Sequence, residues 1–236
     1  MKILYLLHAS FELPGVIESW ASEKGHQQIY ISTFKGEKIP STSSFDLTVA
    51  MGGPQSAVHM DEASYLKDEI DLIRNAMKAQ IPVLGFCLGA QLIGAALGAH
   101  AERSPFKEVG VFPIALTEEG MRDPLLANSP KELSVFHWHN DMPGLTKEAV
   151  ILAKSAGCPR QIIRYSPLAY GFQCHPEMTQ QIANELVNKC ANDLAPGKYV
   201  QTREEILGYD YYALNHLHMM QILDNFLEIT PGCIKI

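Results

Sequence analysis

The residues able to do chemistry in this chain stand in two short blocks. The first centres on Cys87. It follows the apolar run Ile81-Pro82-Val83-Leu84-Gly85-Phe86 and precedes a second run, from Leu88 to Gly98. The first run is short and bounded by Pro82, which predicts a buried strand. The second is rich in Ala and Leu and stops at a glycine, which predicts a helix. Cys87 is therefore expected on a sharp strand-to-helix turn, flanked by Gly85 and Gly89 where neighbouring backbone passes close by. This is the nucleophile-elbow pattern with Cys in place of Ser. The helix start supplies free N–H groups and the positive end of a dipole, which favour a thiolate and a developing oxyanion. A free cysteine is also a common core hydrophobe, so the elbow needs a partner to carry meaning.

The second block supplies one. Leu168-Ala169-Tyr170-Gly171-Phe172-Gln173-Cys174 reads as a strand, followed by His175-Pro176-Glu177. Pro176 cannot donate a ladder hydrogen bond and ends the strand. In extended chain, alternate residues point the same way, so Glu177 can lie beside His175 and orient its imidazole. A cysteine on an elbow, a histidine as base and an acid behind it form a nucleophile–base–orienter set.

Together, Gly85-Phe86-Cys87-Leu88-Gly89-Ala90-Gln91 and Gln173-Cys174-His175-Pro176-Glu177 resemble the class I (triad) glutamine amidotransferases. Met51-Gly52-Gly53-Pro54-Gln55-Ser56 is similar to that family's glycine-rich oxyanion loop. His137-Trp138-His139-Asn140-Asp141 and Glu108-Val109-Gly110 are similar to segments of the branch that contains the amidotransferase part of GMP synthetase. These blocks run from about residue 50 to 180 in the family's order. Two positions depart from the pattern. Cys174 stands where a bulky apolar residue is usual, and alternation turns it away from His175, toward packing. Asn140 replaces a glycine, which bears on how the amino-acid end of a substrate is held.

The resemblance implies a free-standing member of that branch, with a flavodoxin-like three-layer α/β/α fold. It implies Cys87, His175 and Glu177 as the triad, and the backbone N–H groups of Gly53 and Leu88 as the oxyanion hole. Gly52, Gln91, His139, Asn140 and Asp141 would contact substrate. The reaction would be hydrolysis of the glutamine side-chain amide through a γ-glutamyl thioester, releasing ammonia for an acceptor, with an ammonia-accepting synthetase as a possible partner. No cofactor or metal is required. A γ-glutamyl peptide or γ-glutamyl amide hydrolase would use the same triad. A catalytically idle binding or regulatory subunit is the alternative of another class, and the intact Cys87, His175 and Glu177 argue against it. A metal hydrolase built on His137, His139, Asp141, His175 and Glu177 would leave the cysteine elbow without a role.

The elements that must position these groups follow from patterning. The chain has 236 residues, 47% of them apolar, enough for one sizeable α/β domain. The net charge of −7 and the lack of a basic stripe make nucleic acid and anionic membranes poor partners. Five scattered cysteines suggest a reducing, cytoplasmic setting without a disulfide framework. No apolar stretch reaches the ~20 residues of a membrane span. Strands at Lys2–Leu7, Gln28–Ile31, Leu47–Met51 and Val83–Phe86 alternate with helices at Val16–Lys24, Ala63–Ala79 and Leu88–Leu97. This predicts a largely parallel central sheet covered on both faces. Short strands at Val109–Leu116, Leu133–Trp138, Val150–Ala153 and Gln161–Arg164 predict a small β-rich excursion. A helix follows at Thr179–Leu194, then a linker at Asn192–Tyr199. Leu214, Leu217, Met220, Leu223 and Leu227 recur at helical spacing and predict a packing helix. Residues 1–195 are expected to form the amidotransferase domain, and 196–236 a linker and helix of that same domain. The loop Ser10–Gly15 follows the first strand at the sheet edge that carries Cys87, where Phe11 or Glu12 could shape substrate choice.

Overall fold

A computed structural model describes residues 1–59 and 63–230. One ten-stranded sheet runs through the molecule in the order β10-β5-β7-β8-β9-β4-β3-β1-β2, with β6 paired to β5. The strands on the parallel side are β1 (Lys2–Leu6), β2 (Gln27–Ile31), β3 (Leu47–Ala50), β4 (Val83–Phe86) and β9 (Ala169–Phe172). Neighbours among these five all pair parallel. The rest of the sheet comprises β5 (Glu102–Leu116), β6 (Glu132–Met142), β7 (Val150–Ser155), β8 (Ile162–Ser166) and β10 (Tyr199–Val200). There the β5–β6, β5–β7, β7–β8 and β8–β9 pairs are antiparallel.

Strand alternation sorts the core into layers. Ile3, Tyr5 and Leu7 pack toward α1 (Val16–Glu23) and α7 (Leu217–Ile229), with Val49, Phe86 and Phe172 beside them. Leu4 and Leu6 pack on the other face, toward α2 (Tyr65–Lys78) and α3 (Leu88–Ala96). A third cluster lies at the antiparallel side, where Val109, Val111 and Phe136 meet α5 (Gln180–Lys189) and α6 (Arg203–Leu207). The helix starts carry local signals. Thr179 accepts from the Ile182 N–H at the start of α5, and Thr202 and Glu205 close a capping box on α6.

The middle strands form the β-rich region as an antiparallel extension of the main sheet. Several expectations change. β5 and β6 are longer than their apolar stretches suggested and extend the main sheet. The expected helix to Leu194 ends at Lys189 and continues as a short 3-10 turn, Ala191–Leu194. The linker ends in β10, which pairs with β5. α7 buries Met219, Ile222, Leu223 and Phe226 and packs Met220 and Leu227 against the same core, while Leu217 is 73% exposed. A π-helical turn at Tyr212–His216 precedes α7 and shifts its phase relative to one continuous helix. The Leu214 side chain and all of Cys233 lie outside the described residues. Among the described residues, no helix is long and apolar enough to cross a membrane.

Candidate active site

Because β1, β3, β4 and β9 run parallel, their carboxyl ends share one edge. That edge gathers His8, Gly52, Cys87, Gln173 and His175. Cys87 lies between β4 and α3 with φ 50° and ψ −108°. A side chain in that region is strained, and the surroundings must hold it. They do so by backbone: Cys87 N–H donates to Phe172 O at 2.7 Å, and Gly89 N–H donates to Met51 O at 3.1 Å. α3 approaches β3 so closely that a Cβ on Gly89 would lie 2.0 Å from Ala50 O. The elbow is thus wedged between β3 and β9, and only glycine fits at its exit.

His175 N–H donates to Phe136 O at 2.8 Å, which anchors the chain just beyond β9. The His175 Nδ1 lies 2.8 Å from Glu177 Oε1, and both residues are buried. Among the described residues, His175 Nε2 has no hydrogen-bond partner of standard geometry, although Cys87 is close enough to act on the imidazole's charge. Gly52 lies between them. The position where a Gly52 side chain would begin is 3.2 Å from His175 Cε1 and 3.5 Å from Cys87 Cβ. Burial works against a charged His175, but the Glu177 carboxylate and then Cys87 override it, raising the imidazole well above the ordinary histidine range.

Cys87 opens onto a cavity of about 210 Å³. Gly53, Leu88, Gln91, His139, Asn140 and Asp141 line it, so these sequence-chosen residues meet in one place. The N–H groups of Gly53 and Leu88 are taken by no other group among the described residues. Gln91 Nε2 donates to Gln173 Oε1 at 3.0 Å, and Gln173 Nε2 donates to Cys87 Sγ at 3.4 Å. Asp141 accepts from Ser56 Oγ at 2.9 Å and from Arg103 at 2.8 Å. Trp138 is half-buried and lines the cavity. Its Nε1 donates to Asp193 at 3.0 Å.

His139 is fixed from below. Glu108 lies opposite it on β5, with His139 Nε2 3.2 Å from Glu108 Oε2. The ligand atoms of Glu108, His137 and His139 lie within 4.8 Å of one another. The Glu108 carboxylate also accepts from Ser155 Oγ, Gln161 Nε2 and Gly157 N–H, so its lone pairs are already committed. Burial opposes its charge, but these bonds and the two histidines hold it below the usual carboxylate range. Burial pushes His137 down to about 3, so this ring is neutral. Asp141 and the His175–Glu177 pair stand apart from the cluster, so the five-residue metal set weighed from sequence is not assembled. Cys174 faces away from His175 and is buried in the core, where desolvation raises its thiol well above the ordinary range.

The sequence reading missed Gln173, His8 and Glu69 as parts of this region. Gln173 was accessible to the same alternation rule that linked His175 with Glu177. In the loop before α1, Phe11 packs against the cluster that contains Met178 and Ile182. Glu12 turns its carboxyl into a separate small cavity with Gly52, His175 and Glu177, away from the open pocket. The Glu12 side chain passes close to Gly52, where a Cβ would lie 2.3 Å from its Oε2.

The class defined by this fold and edge is an α/β protein with a cysteine on a strand-to-helix elbow. Comparison with known proteins gives the family: a model of glutamine amidotransferase class-I matches residues 19–193, and the chain belongs to that family. It is 41% identical over 222 residues to the glutamine amidotransferase-like protein YfeJ of Salmonella typhimurium, covering 91% of this chain and 93% of that one. It is 30% identical over 190 residues to a glutamine-hydrolyzing GMP synthase subunit of Methanocaldococcus jannaschii, covering 79% and 89% of the two chains. A crystal structure of a glutamine amidotransferase from Methylobacillus flagellatus superposes with a TM-score of 0.89 over 97% of this chain and 94% of its own. At 24% identity that likeness speaks to the fold, a mixed sheet with helices on both sides.

Proposed function

We propose that this protein hydrolyses the side-chain amide of glutamine with Cys87 as nucleophile, His175 as proton carrier and Glu177 as the group that orients it. The observation that supports this most is the buried 2.8 Å His175–Glu177 contact beside a cysteine held at positive φ on a helix start. In the reaction, His175 takes the thiol proton and Cys87 Sγ bonds to the carboxamide carbon. The carbonyl oxygen becomes an oxyanion facing the Gly53 and Leu88 N–H groups. As the C–N bond breaks, His175 returns its proton to the nitrogen, and ammonia leaves behind a γ-glutamyl thioester. Water then attacks the thioester, with His175 taking its proton and passing it to the departing sulfur. Glutamate is released and the thiol is restored. Glu177 fixes the imidazole's tautomer and supports its charge. Gln91, His139, Asn140 and Asp141 are positioned to receive the amino-acid end of the substrate.

A cavity of about 210 Å³ is small beside the ~300–1,000 Å³ of typical ligand sites. The relatives named as glutamine-hydrolyzing GMP synthase subunits support an ammonia-accepting synthetase as partner. The test is hydrolysis of L-glutamine, γ-glutamyl peptides and γ-glutamyl amines by the wild type and three variants. Cys87→Ala should abolish turnover, and His175→Ala should come close to doing so. Glu177→Gln should be milder, because it orients the base and carries no proton itself. Turnover that survives Cys87→Ala would remove this mechanism. Turnover of a peptide by the chain alone, far faster than glutamine, would place the γ-glutamyl hydrolase first.

A further inference from the structure

Behind the glycine turn lies a buried polar chain that the proposed reaction does not use. His8 follows β1 and is 1% exposed. Its Nε2 lies 2.6 Å from Oε2 of Glu69, a fully buried residue of α2. The other Glu69 oxygen accepts from Thr33 Oγ1. On its inner side, His8 Nδ1 lies 3.3 Å from Gly52 O. A carbonyl oxygen can only accept, so this contact is a hydrogen bond in the form of the ring whose Nδ1 carries a proton. The turn is tied to the same residue twice more. Gln55 Nε2 donates to His8 O at 3.0 Å, and a Cβ on Gly53 would lie 2.4 Å from His8 Cβ.

This contact bears on one peptide group. The Gly52 carbonyl and the Gly53 N–H belong to the same planar trans unit and point in opposite directions. A peptide between two glycines can flip at little cost, because neither residue excludes the alternative dihedrals. A device that grips the carbonyl therefore sets where the N–H points. A buried His–Glu pair is a poor stabiliser, since well-packed apolar residues serve as well or better. Apolar residues could not hold the Gly52 carbonyl.

We propose that His8, backed by Glu69 and Thr33, is a positioning residue that pins the Gly52–Gly53 peptide so that the Gly53 N–H faces the carbonyl attacked by Cys87. The inference rests on the function proposed above and deepens it. Its signature is specific. Alkylation of Cys87 by iodoacetamide needs no oxyanion hole, whereas amide hydrolysis does. Binding of the γ-aldehyde analogue of glutamine, which forms a tetrahedral thiol adduct, also needs one.

The experiment compares wild type, His8→Leu, His8→Asn, Glu69→Gln and Cys87→Ala on L-glutamine and γ-glutamyl-p-nitroanilide, with folding followed by thermal unfolding. Losing one oxyanion donor lowers kcat by about 10²–10³-fold. A mis-aimed donor should lower it by roughly 10–100-fold in His8→Leu, with KM within about threefold of wild type. Affinity for the aldehyde should fall in parallel with kcat/KM, while the alkylation rate holds. His8→Asn carries an amide N–H near the place of Nδ1 and should recover part of the loss. Glu69→Gln should be intermediate, and with His8→Asn it gives the answer if His8→Leu fails to fold. Unchanged kcat in the folded variants overturns the inference, as does a parallel fall of alkylation and turnover. Activity that survives Cys87→Ala, or wild type inert toward both substrates, overturns instead the reading beneath it.

Discussion

Glu12 shows how one buried carboxyl can tie stability to pH. Its stem reaches the surface, but its carboxyl is enclosed beside Gly52, His175 and Glu177. Burial raises it to about 7, with His175 and His8 pulling the other way and Glu177 adding to the rise. A carboxyl with a raised folded-state pKa favours folding while it is protonated. That contribution is complete below the unfolded value near 4.5 and is lost as pH rises through about 7. Glu12→Gln should therefore gain on wild type as pH rises between these limits, reaching on the order of 3 kcal/mol by pH 8, with little difference at pH 4. Denaturant unfolding at both pH values checks this, and equal stability differences at the two would contradict it. His175 and Glu177 were legible because a period-two rule and a proline fixed their side of the strand. Cys87 was legible because glycines and apolar runs bracket it. His8 and Glu69 were not, because their partners lie far away in sequence and no local period links Glu69 to Gly52.

At the scale of elements, the elbow depends on three strand ends held in register, and each strand is short and apolar enough to announce itself. The antiparallel part of the sheet was harder to read. Glu102-Arg103-Ser104-Pro105-Phe106-Lys107 is polar and carries a proline, yet it opens β5, with a register shift between Arg103 and Glu108. β10 has only two residues and no periodicity to detect. α7 was found, with Met220, Leu223 and Leu227 on the core side as their spacing predicted and Leu217 turned outward at its start. We propose that residues 196–236 belong to the same folding unit as residues 1–195. Tyr211, Met219, Ile222, Leu223 and Phe226 are buried, Trp20 Nε1 donates to Asp224 at 2.9 Å, and Asn225 Nδ2 donates to Leu125 O at 2.9 Å. Each buried apolar side chain contributes about 1.5–3 kcal/mol, against a total domain stability of about 5–15 kcal/mol. A chain ending at residue 195 should therefore lose cooperative unfolding or solubility. A soluble, cooperatively folded 1–195 fragment would show the C-terminal part to be dispensable.

The whole molecule brings Cys87, His175 and the glycine turn to one sheet edge, and opens that edge through a small cavity. The four described cysteines, Cys87, Cys158, Cys174 and Cys190, are all free, and of these Cys87 lines the cavity. Burial raises the thiols of Cys158 and Cys174, which suits packing and not attack. The central claim is that amide hydrolysis passes through a covalent bond to Cys87. It is tested most directly by quenching the enzyme in acid during turnover of glutamine or a γ-glutamyl amide, then mapping the protein by mass spectrometry. The account predicts a glutamyl group in thioester linkage on the peptide that contains Cys87, absent from Cys87→Ala and removed by hydroxylamine. Turnover with no adduct on Cys87, or with the adduct on another residue, would contradict it.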